Sequence, residues 1–578
     1  MSTTVHIKGE GQVKLSKSNF VAAGGEGSVY AVGNRAFKVY KDPKKMIPEG
    51  KIQELAGITD PTVIKPEKVL LDSRGKPIGY TMRFVQDTYA LCQLFPRAFR
   101  DREGLTPQGV VDLVLRMRQQ IENIHRAGVL VVDLNEMNFL VSRDFSEVYA
   151  IDVDSYQTAH YPATAIMPSV RDWHTPIGDF NENSDWFSFA CVSFQMFIGM
   201  HPYKGKHPSI KGMENRMKAN VSAFNSDVRL PKVCFPLDVI PDSYRQWMQA
   251  VLEDGKRLPP PTDLVATLVV VPKVKTLSGT ANLDIKEILV FGDAFTPVMG
   301  LGYSGGAAAT LTNDSVWING NRVLLPQKVT KAALAFTPKM NKVVVASLEN
   351  GEVTLFNATD RQVLPFTMKG SQIAAHDGRI YVHNKDKVFE IVLHDTVTKV
   401  LPSARPAVNV LPHASQLYSG CVVQDLLGAT YVSVFPKSGR AHQVHMEELD
   451  QYRVVSARFD GGVLMVEGIY QHSVAIGAKG GASRYDRLIF RFDEDYKSYD
   501  VRVEDDVQPS GCNFVTLDTG IAVHLNDEEK LELFKATKGH TAVKIIDDAV
   551  LGGDMLLTKQ GGTLVFTRGG KLYSMRMK

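Results

Sequence analysis

Cysteine is scarce in this chain. The five present, Cys92, Cys191, Cys234, Cys421 and Cys512, are widely scattered and form no CxxC pair. Neither a disulfide framework nor a zinc site is expected from that spacing, and a reducing compartment is the simplest reading. Long apolar runs are missing too: the longest, Leu264 to Pro272, is interrupted by Thr267 and too short to span a bilayer. The opening stretch MSTTVHIKGEGQVKL lacks an apolar h-region, so no secretory signal is expected. Neither sign of charge dominates. Lys and Arg number 66 against 63 Asp and Glu, a formal net charge of +3, which argues against nucleic acid and acidic membrane surfaces as partners. A cytoplasmic protein is expected.

The chain has 578 residues, 44% of them hydrophobic. Single cores rarely grow beyond about 250–300 residues, so this length calls for two or more domains. The texture changes near residue 270. Before it, short β-like runs (Phe37–Tyr40, Gly79–Val85) give way to amphipathic helical stretches at Val110–His125 and Asp185–Met200, the latter apolar nearly all round. The stretch KVKTLSGTAN, residues 273–282, reads as a linker that few contacts should cross. Beyond it come short alternating runs separated by Gly, Asn and Asp, the pattern of an all-β meander. At roughly 40 residues per four-stranded unit this region accommodates about seven units, the arithmetic of a β-propeller. Units are expected to begin near Gly300, Lys331, Ser371, Val408, Val454, Cys512 and Asp554, with Glu287–Gly292 completing the last. No Trp-Asp repeat supports this, and a pair of β-sandwiches is the rival.

Several segments carry chemistry. Residues 21–32 read VAAGGEGSVYAV, where Gly24, Gly25 and Gly27 precede Val29. Glycines let backbone amides approach a phosphate with no Cβ in the way. Eleven residues after Gly27 stands Lys38, in a β-like run. Residues 124–141, IHRAGVLVVDLNEMNFLV, place Asp133 and Asn138 five residues apart at the end of a helix, and Asp152 and Asp154 follow in AIDVD.

Together these segments resemble the protein-kinase superfamily over about residues 18 to 268. The resemblance implies a bilobal kinase fold over residues 1–270 (N-lobe about 1–85, C-lobe about 86–270), a linker at 271–283 and the all-β domain at 284–578. It implies ATP held by Ala22, Gly24, Gly25, Gly27, Val29, Lys38, Met82 and Phe84, with Ala22 standing where the first glycine is usual. Lys38 would contact the α- and β-phosphates. Its helix partner would be Glu49 if Pro48 opens a short helix with Ile52 and Leu55 inward, or else Glu54. Asp133 would accept the substrate hydroxyl proton, and Asn138, Asp152 and Asp154 would hold magnesium, with manganese as a substitute. The combination of NEMN (135–138) with IDVDSYQ (151–157) is similar to an atypical branch in bacteria and their phages, for which serine/threonine phosphorylation is implied.

Departures from the family pattern are equally specific. Val131 and Val132 replace His-Arg before the catalytic aspartate, Asn135 replaces the usual cation at the catalytic position, and Val153-Asp154 replaces Phe-Gly. Losing one cation could cost several kcal/mol of transition-state stabilisation. The alternative function is therefore a pseudokinase–propeller scaffold that binds nucleotide and partners without efficient catalysis. Small-molecule phosphotransfer is disfavoured by the long helical C-lobe with GMHPY (199–203) and GKRLP (255–259). Arg257 in that last turn is expected to pair with an acidic residue, with Asp172 the candidate. Lys204, Lys206, Lys211, Arg216 and Lys218 cluster against one opposing residue, Glu214, either as a solvated face or as a site for an acidic or phosphorylated partner. The β domain is expected to recruit a protein substrate or partner.

Overall fold

The computed structural model describes residues 3–578 apart from 25, 263–276, 278, 293–295, 297, 305–306, 340, 397, 438–439 and 471–483. Gly25, the apolar run 264–272 and most of the expected linker lie outside the described residues. The chain is mostly β, 41% strand against 17% helix, and among the described residues every α-helix falls between residues 49 and 252. The change of texture near residue 270 is thus a change of architecture.

The first part opens with strands β1 (Thr3–Ile7), β2 (Gln12–Leu15), β3 (Phe20–Ala23), β4 (Gly27–Val32) and β5 (Arg35–Tyr40). Helix α1 (Glu49–Leu55) follows, then β6 (Lys68–Leu71) and β7 (Pro77–Arg83). They form one sheet in the order β2-β1-β6-β7-β5-β4-β3. The hairpin β1–β2 extends the sheet before residue 18, where the motif-bearing region begins. Alternation of apolar residues gives the sheet two faces: Val5, Ile7, Leu15, Phe37 and Leu70 pack on one side, and Tyr40, Val69 and Tyr80 pack with Ile52 of α1 on the other.

The helical part contains α2 (Arg97–Glu103), α3 (Pro107–Arg126), α4 (Glu182–Ile198), α5 (Met213–Lys218) and α6 (Asp242–Leu252). It also carries a small sheet of β8 (Thr88–Ala90), β9 (Phe139–Ser142) and β10 (Val148–Ala150). Helix α3 starts where Thr106 caps the Gly109 amide and Pro107 occupies the first turn. Helix α4, apolar all round, is buried at every residue from Ser184 to Ile198, capped by Asn181 and terminated by Gly199 at φ 85°.

Beyond residue 282, the described residues form seven four-stranded antiparallel sheets that follow one another. Their first strands begin at Gly300, Ala332, Gln372, Ser415, Tyr452, Phe514 and Leu556. Six of these lie within two residues of expectation. The fourth is corrected: Val408 lies near the end of the outer strand Val400–Asn409 of the preceding sheet. That strand carries Pro402 and Pro406, which an edge tolerates and an inner strand does not. The seventh sheet pairs Leu283–Val290 with the last strand, Lys571–Met577, Leu283 lying opposite Met577. First strands of neighbouring sheets touch from the first sheet to the fifth, and the seventh touches the first.

The expectation of few contacts between the two parts is overturned. Val455, Ile469, Tyr485 and Val507 belong to the same hydrophobic cluster as Phe95, Leu113, Ile121 and Phe194. Each fully buried side chain of this size is worth roughly 1.5–3 kcal/mol, so the shared cluster joins the two parts firmly. Linker composition reports only on the connecting segment and is blind to what the facing surfaces carry. The basic cluster after α4 is largely absorbed in the same way. Lys204 pairs with Asp506 at 2.8 Å and Lys206 with Glu528 at 3.7 Å, while buried Arg216 donates to backbone carbonyls of residues 204, 205 and 221. The acidic partner for two of these lysines is the chain's own β region.

Candidate active site

The cleft between the first sheet and the helical part collects most of the expected residues. Lys38 on β5 is buried, with its ammonium 2.6 Å from Asp154 Oδ2 and 3.1 Å from Asp152 Oδ1. Tyr40, two residues along the same strand face, donates its hydroxyl to Asp154 Oδ2 at 2.6 Å. Burial opposes the charge on Lys38, yet the carboxylates of Asp154 and Asp152 and the phenol of Tyr80 hold it well above the ordinary lysine range. Burial likewise opposes ionisation of Asp154, but Lys38 and Tyr40 hold it down at about 2. The Asp152 side chain keeps 46% of its surface exposed at the mouth of the cleft. Lys38 draws its carboxyl down, but the desolvation of the cleft and the Asp154 charge beside it outweigh this and push it up to about 6. Asp152 adopts φ 60°, a conformation uncommon for a residue with a Cβ and often found at functional sites.

Glu49 requires correction. Helix α1 forms where expected, after Pro48, with Ile52 and Leu55 inward. Glu49, however, lies in the outer first turn and pairs with Lys8 at 2.8 Å. Glu54 pairs with His160 at 2.7 Å. Lys51 is the polar residue of α1 that turns inward: it is buried and donates to the Asp154 carbonyl at 2.7 Å. A cation therefore stands on the inner face of α1 where an acid was expected.

The glycine-rich turn joins β3 to β4. The Gly24 amide donates to the Gly27 carbonyl at 2.9 Å. A Cβ on Gly27 would sit 2.5 Å from the Val39 carbonyl oxygen, so strand crossing dictates that glycine, whereas a Cβ on Gly24 would meet nothing within 4 Å. Ala22 pairs with Val29, and Val29 with Lys38, across the ladder. Glu26 in the turn reaches Lys38 at 3.6 Å. Met82 lies on the sheet face of Tyr40 and Tyr80. Phe84, just past β7, turns its ring edge to His413 of the β region at 5.3 Å.

Asp133, Asn135 and Asn138 share one tight loop. Asn138 donates to the Asp133 carbonyl at 3.0 Å, and Asn135 accepts from the Met137 amide at 2.9 Å. The Asp133 carboxylate takes the Met167 amide at 2.8 Å, and burial pushes that carboxyl up, which suits a proton acceptor. The loop is pinned by fully buried Asp185 of α4, which takes the amides of Val131 (2.8 Å) and Val132 (2.9 Å) and contacts His125 at 2.9 Å. Val132 sits at φ 62°, strained for a β-branched residue and held there by those bonds. The Ile151 amide donates to the Asn138 carbonyl at 2.9 Å, tying this loop to the segment that carries Asp152. Asp172 and Arg257 form a two-pronged pair at 2.6 Å on each arm, as anticipated.

The oxygen donors fit a hard divalent cation. Asp152 and Asp154 supply carboxylates, and Asn138, whose amide nitrogen is spent on Asp133, offers its amide oxygen. Asp154 Oδ1 is buried without a hydrogen-bond partner, which is costly unless something occupies it. A second cluster, Glu504, His524 and Glu532, fits a metal poorly. All four of its carboxylate oxygens already accept from Arg487, Arg502 or Asn526, so none stands open as Asp154 Oδ1 does.

Sequence reasoning missed Lys51, Tyr40 and the anchoring function of Asp185. Lys51 carries a charge in a helix otherwise read by its apolar pattern, so no local signal marked it. Asp185 had one signal, an acid opening an apolar helix. No known protein family matches the chain, and no curated protein does.

Proposed function

We propose that the chain is an ATP- and magnesium-dependent serine/threonine protein kinase. The observation that carries this is the meeting of Lys38 with Asp152 and Asp154, residues 114 and 116 positions away, beside a loop that presents Asp133. Magnesium would be held by Asp152, Asp154 and Asn138 and would neutralise phosphate charge. Lys38 would orient the α- and β-phosphates, Gly24 would let backbone amides approach them, and Met82 and Phe84 would border the base. Asp133, oriented by the Met167 amide, would take the hydroxyl proton as the phosphoryl group transfers. Lys51, inward on α1, supplies a cation near a site that lacks one at Asn135.

In this proposal residues 1–270 form a bilobal kinase domain, and the seven sheets form a β-propeller closed by the pairing of residues 283–290 with the last strand. The propeller would recruit substrate or partner. The absence of a cation at Asn135 favours a second reading, a pseudokinase scaffold that binds nucleotide without efficient transfer. Among the described residues no helix is long and apolar enough to cross a membrane. The experiment is to incubate the full chain with labelled ATP, magnesium and a generic protein substrate, then hydrolyse the product. Labelled phosphoserine or phosphothreonine is expected. Nucleotide binding with no transfer would favour the scaffold.

A further inference from the structure

The loop carrying Asp133 and Asn138 is gripped from outside its own domain. Its middle residue, Met137, donates its amide inward to Asn135 Oδ1 at 2.9 Å. The Met137 carbonyl faces the other way and accepts from Arg453 at 3.1 Å. Arg453 lies on Tyr452–Asp460, the first strand of the fifth sheet. Glu136, next to Met137, is buried at 3% exposure. One of its oxygens lies 3.5 Å from the hydroxyl of Tyr485, on the third strand of that sheet, and the other has no partner. A glutamate in a loop that could face water is thus turned into the seam between the two parts.

The platform that does this is stiff. Val455, beside Arg453, accepts from Gln93 at 3.0 Å and is buried in the shared cluster. Within the same sheet Arg487, fully buried, binds Glu467 and Glu504 at 3.0 Å and Asp527 at 3.1 Å. Glu467 in turn takes the amides of Ser510 and Gly511 at 2.9 and 2.8 Å. That fixes the segment in which Gln508 donates to the Gly199 carbonyl at 2.6 Å, at the end of α4. Since Asp185 of α4 pins Val131 and Val132, the loop is held at two points, its first residues by α4 and its middle by the fifth sheet.

We propose that Arg453 and Tyr485 are positioning residues for the reaction, holding Asp133 and Asn138 in register from the β domain. This rests on the kinase reading above. The β domain is then part of the catalytic apparatus as well as a recruiter, and the first 270 residues alone hold an incomplete site. A rotation of the Met137 peptide would move Asn138, one residue on, and the Asp133 carbonyl to which its amide is bonded. Misplacing reacting groups by about 1 Å can cost on the order of a hundredfold in rate.

The test uses the full chain with Arg453→Met, Arg453→Lys and Tyr485→Phe, the last keeping the ring that fills the shared cluster. Three quantities are measured: kcat, the KM for ATP, and hydrogen exchange of the peptide spanning residues 133–138. Losing one charge-assisted bond is expected to lower kcat about tenfold to a hundredfold in Arg453→Met, with the KM for ATP nearly unchanged. Arg453→Lys should recover part of that rate. Tyr485→Phe should lose less rate than Arg453→Met, and exchange at 133–138 should rise in both. Unchanged kcat with unchanged exchange in Arg453→Met and Tyr485→Phe would overturn the proposal, as would a loss confined to KM. If Arg453→Met fails to fold, Tyr485→Phe decides by the same two readings. If the wild type transfers no phosphate, the kinase reading fails on its own; exchange then decides whether the fifth sheet holds the loop, faster exchange supporting it and unchanged exchange overturning it.

Discussion

Lys38 Nζ lies 2.6 Å from Asp154 Oδ2, and both side chains are almost wholly removed from solvent. Removing one member of such a buried pair leaves an uncompensated charge and typically costs about 3–5 kcal/mol. Lys38→Met is therefore expected to abolish phosphotransfer and also to lower the thermal unfolding midpoint. The double variant Lys38→Met/Asp154→Asn should regain part of that stability, because the stranded carboxylate is gone. Calorimetry on Lys38→Met, Asp154→Asn and the double variant checks this; strictly additive losses would contradict it.

Metal binding should depend on pH through Asp152. Its carboxyl is pushed up to about 6, so it holds a proton below that value and is an anion above it. A cation needs the anion, hence affinity for manganese is expected to fall as pH drops through about 6. Titration calorimetry with manganese at several pH values measures the effect. Asp152→Ala should abolish phosphotransfer at every pH while nucleotide still binds weakly. A flat manganese profile, or full transfer by Asp152→Ala, would contradict the assignment.

Helix α1 separates two candidate partners for the site. Glu49 pairs with Lys8 outside, whereas Lys51 reaches the Asp154 carbonyl inside. Glu49→Gln should leave phosphotransfer within about twofold of wild type, while Lys51→Met should lower it roughly tenfold or more through loss of a charged hydrogen bond. Initial rates at saturating and limiting ATP distinguish them; the reverse order of severity would restore Glu49 as the functional residue.

Regulation by phosphorylation between Asp154 and Asp172 is not expected. Val132 offers no donor for a phosphate on that segment. Of the candidate acceptors, Thr158 and Ser169 are buried and the Ser155 hydroxyl is spent on the Asp152 carbonyl at 2.8 Å. The variant with Ser155, Thr158, Thr164 and Ser169 all changed to alanine should match phosphatase-treated wild type in initial rate, and both should match untreated protein. A large loss in both, reversed by rephosphorylation only in wild type, would show a switch.

What the sequence disclosed follows from how local each signal is. Period-3.6 patterning located α3 and α4, and turn residues between alternating runs located six of the seven sheet starts. The loop residues Asp133 and Asn138 and the aspartates after them were legible because their spacing along the chain is itself the signal. The partner of Lys38 was not. Whether Glu49, Lys51 or Glu54 faces inward depends on how α1 rolls on the sheet, a tertiary choice that a seven-residue helix with one apolar stripe barely encodes. Contacts such as Arg453 with Met137, 316 residues apart, leave no trace in any short window.

The most direct test of the whole account compares wild type with Asp133→Asn in labelled ATP and magnesium, with nucleotide affinity measured on both. The variant keeps the shape and the Met167 amide's acceptor but loses the carboxylate that takes the proton. Transfer to serine or threonine by wild type, lost by a hundredfold or more in Asp133→Asn with nucleotide affinity preserved, is the predicted result. Equal transfer by the two proteins, or none by wild type, would contradict it.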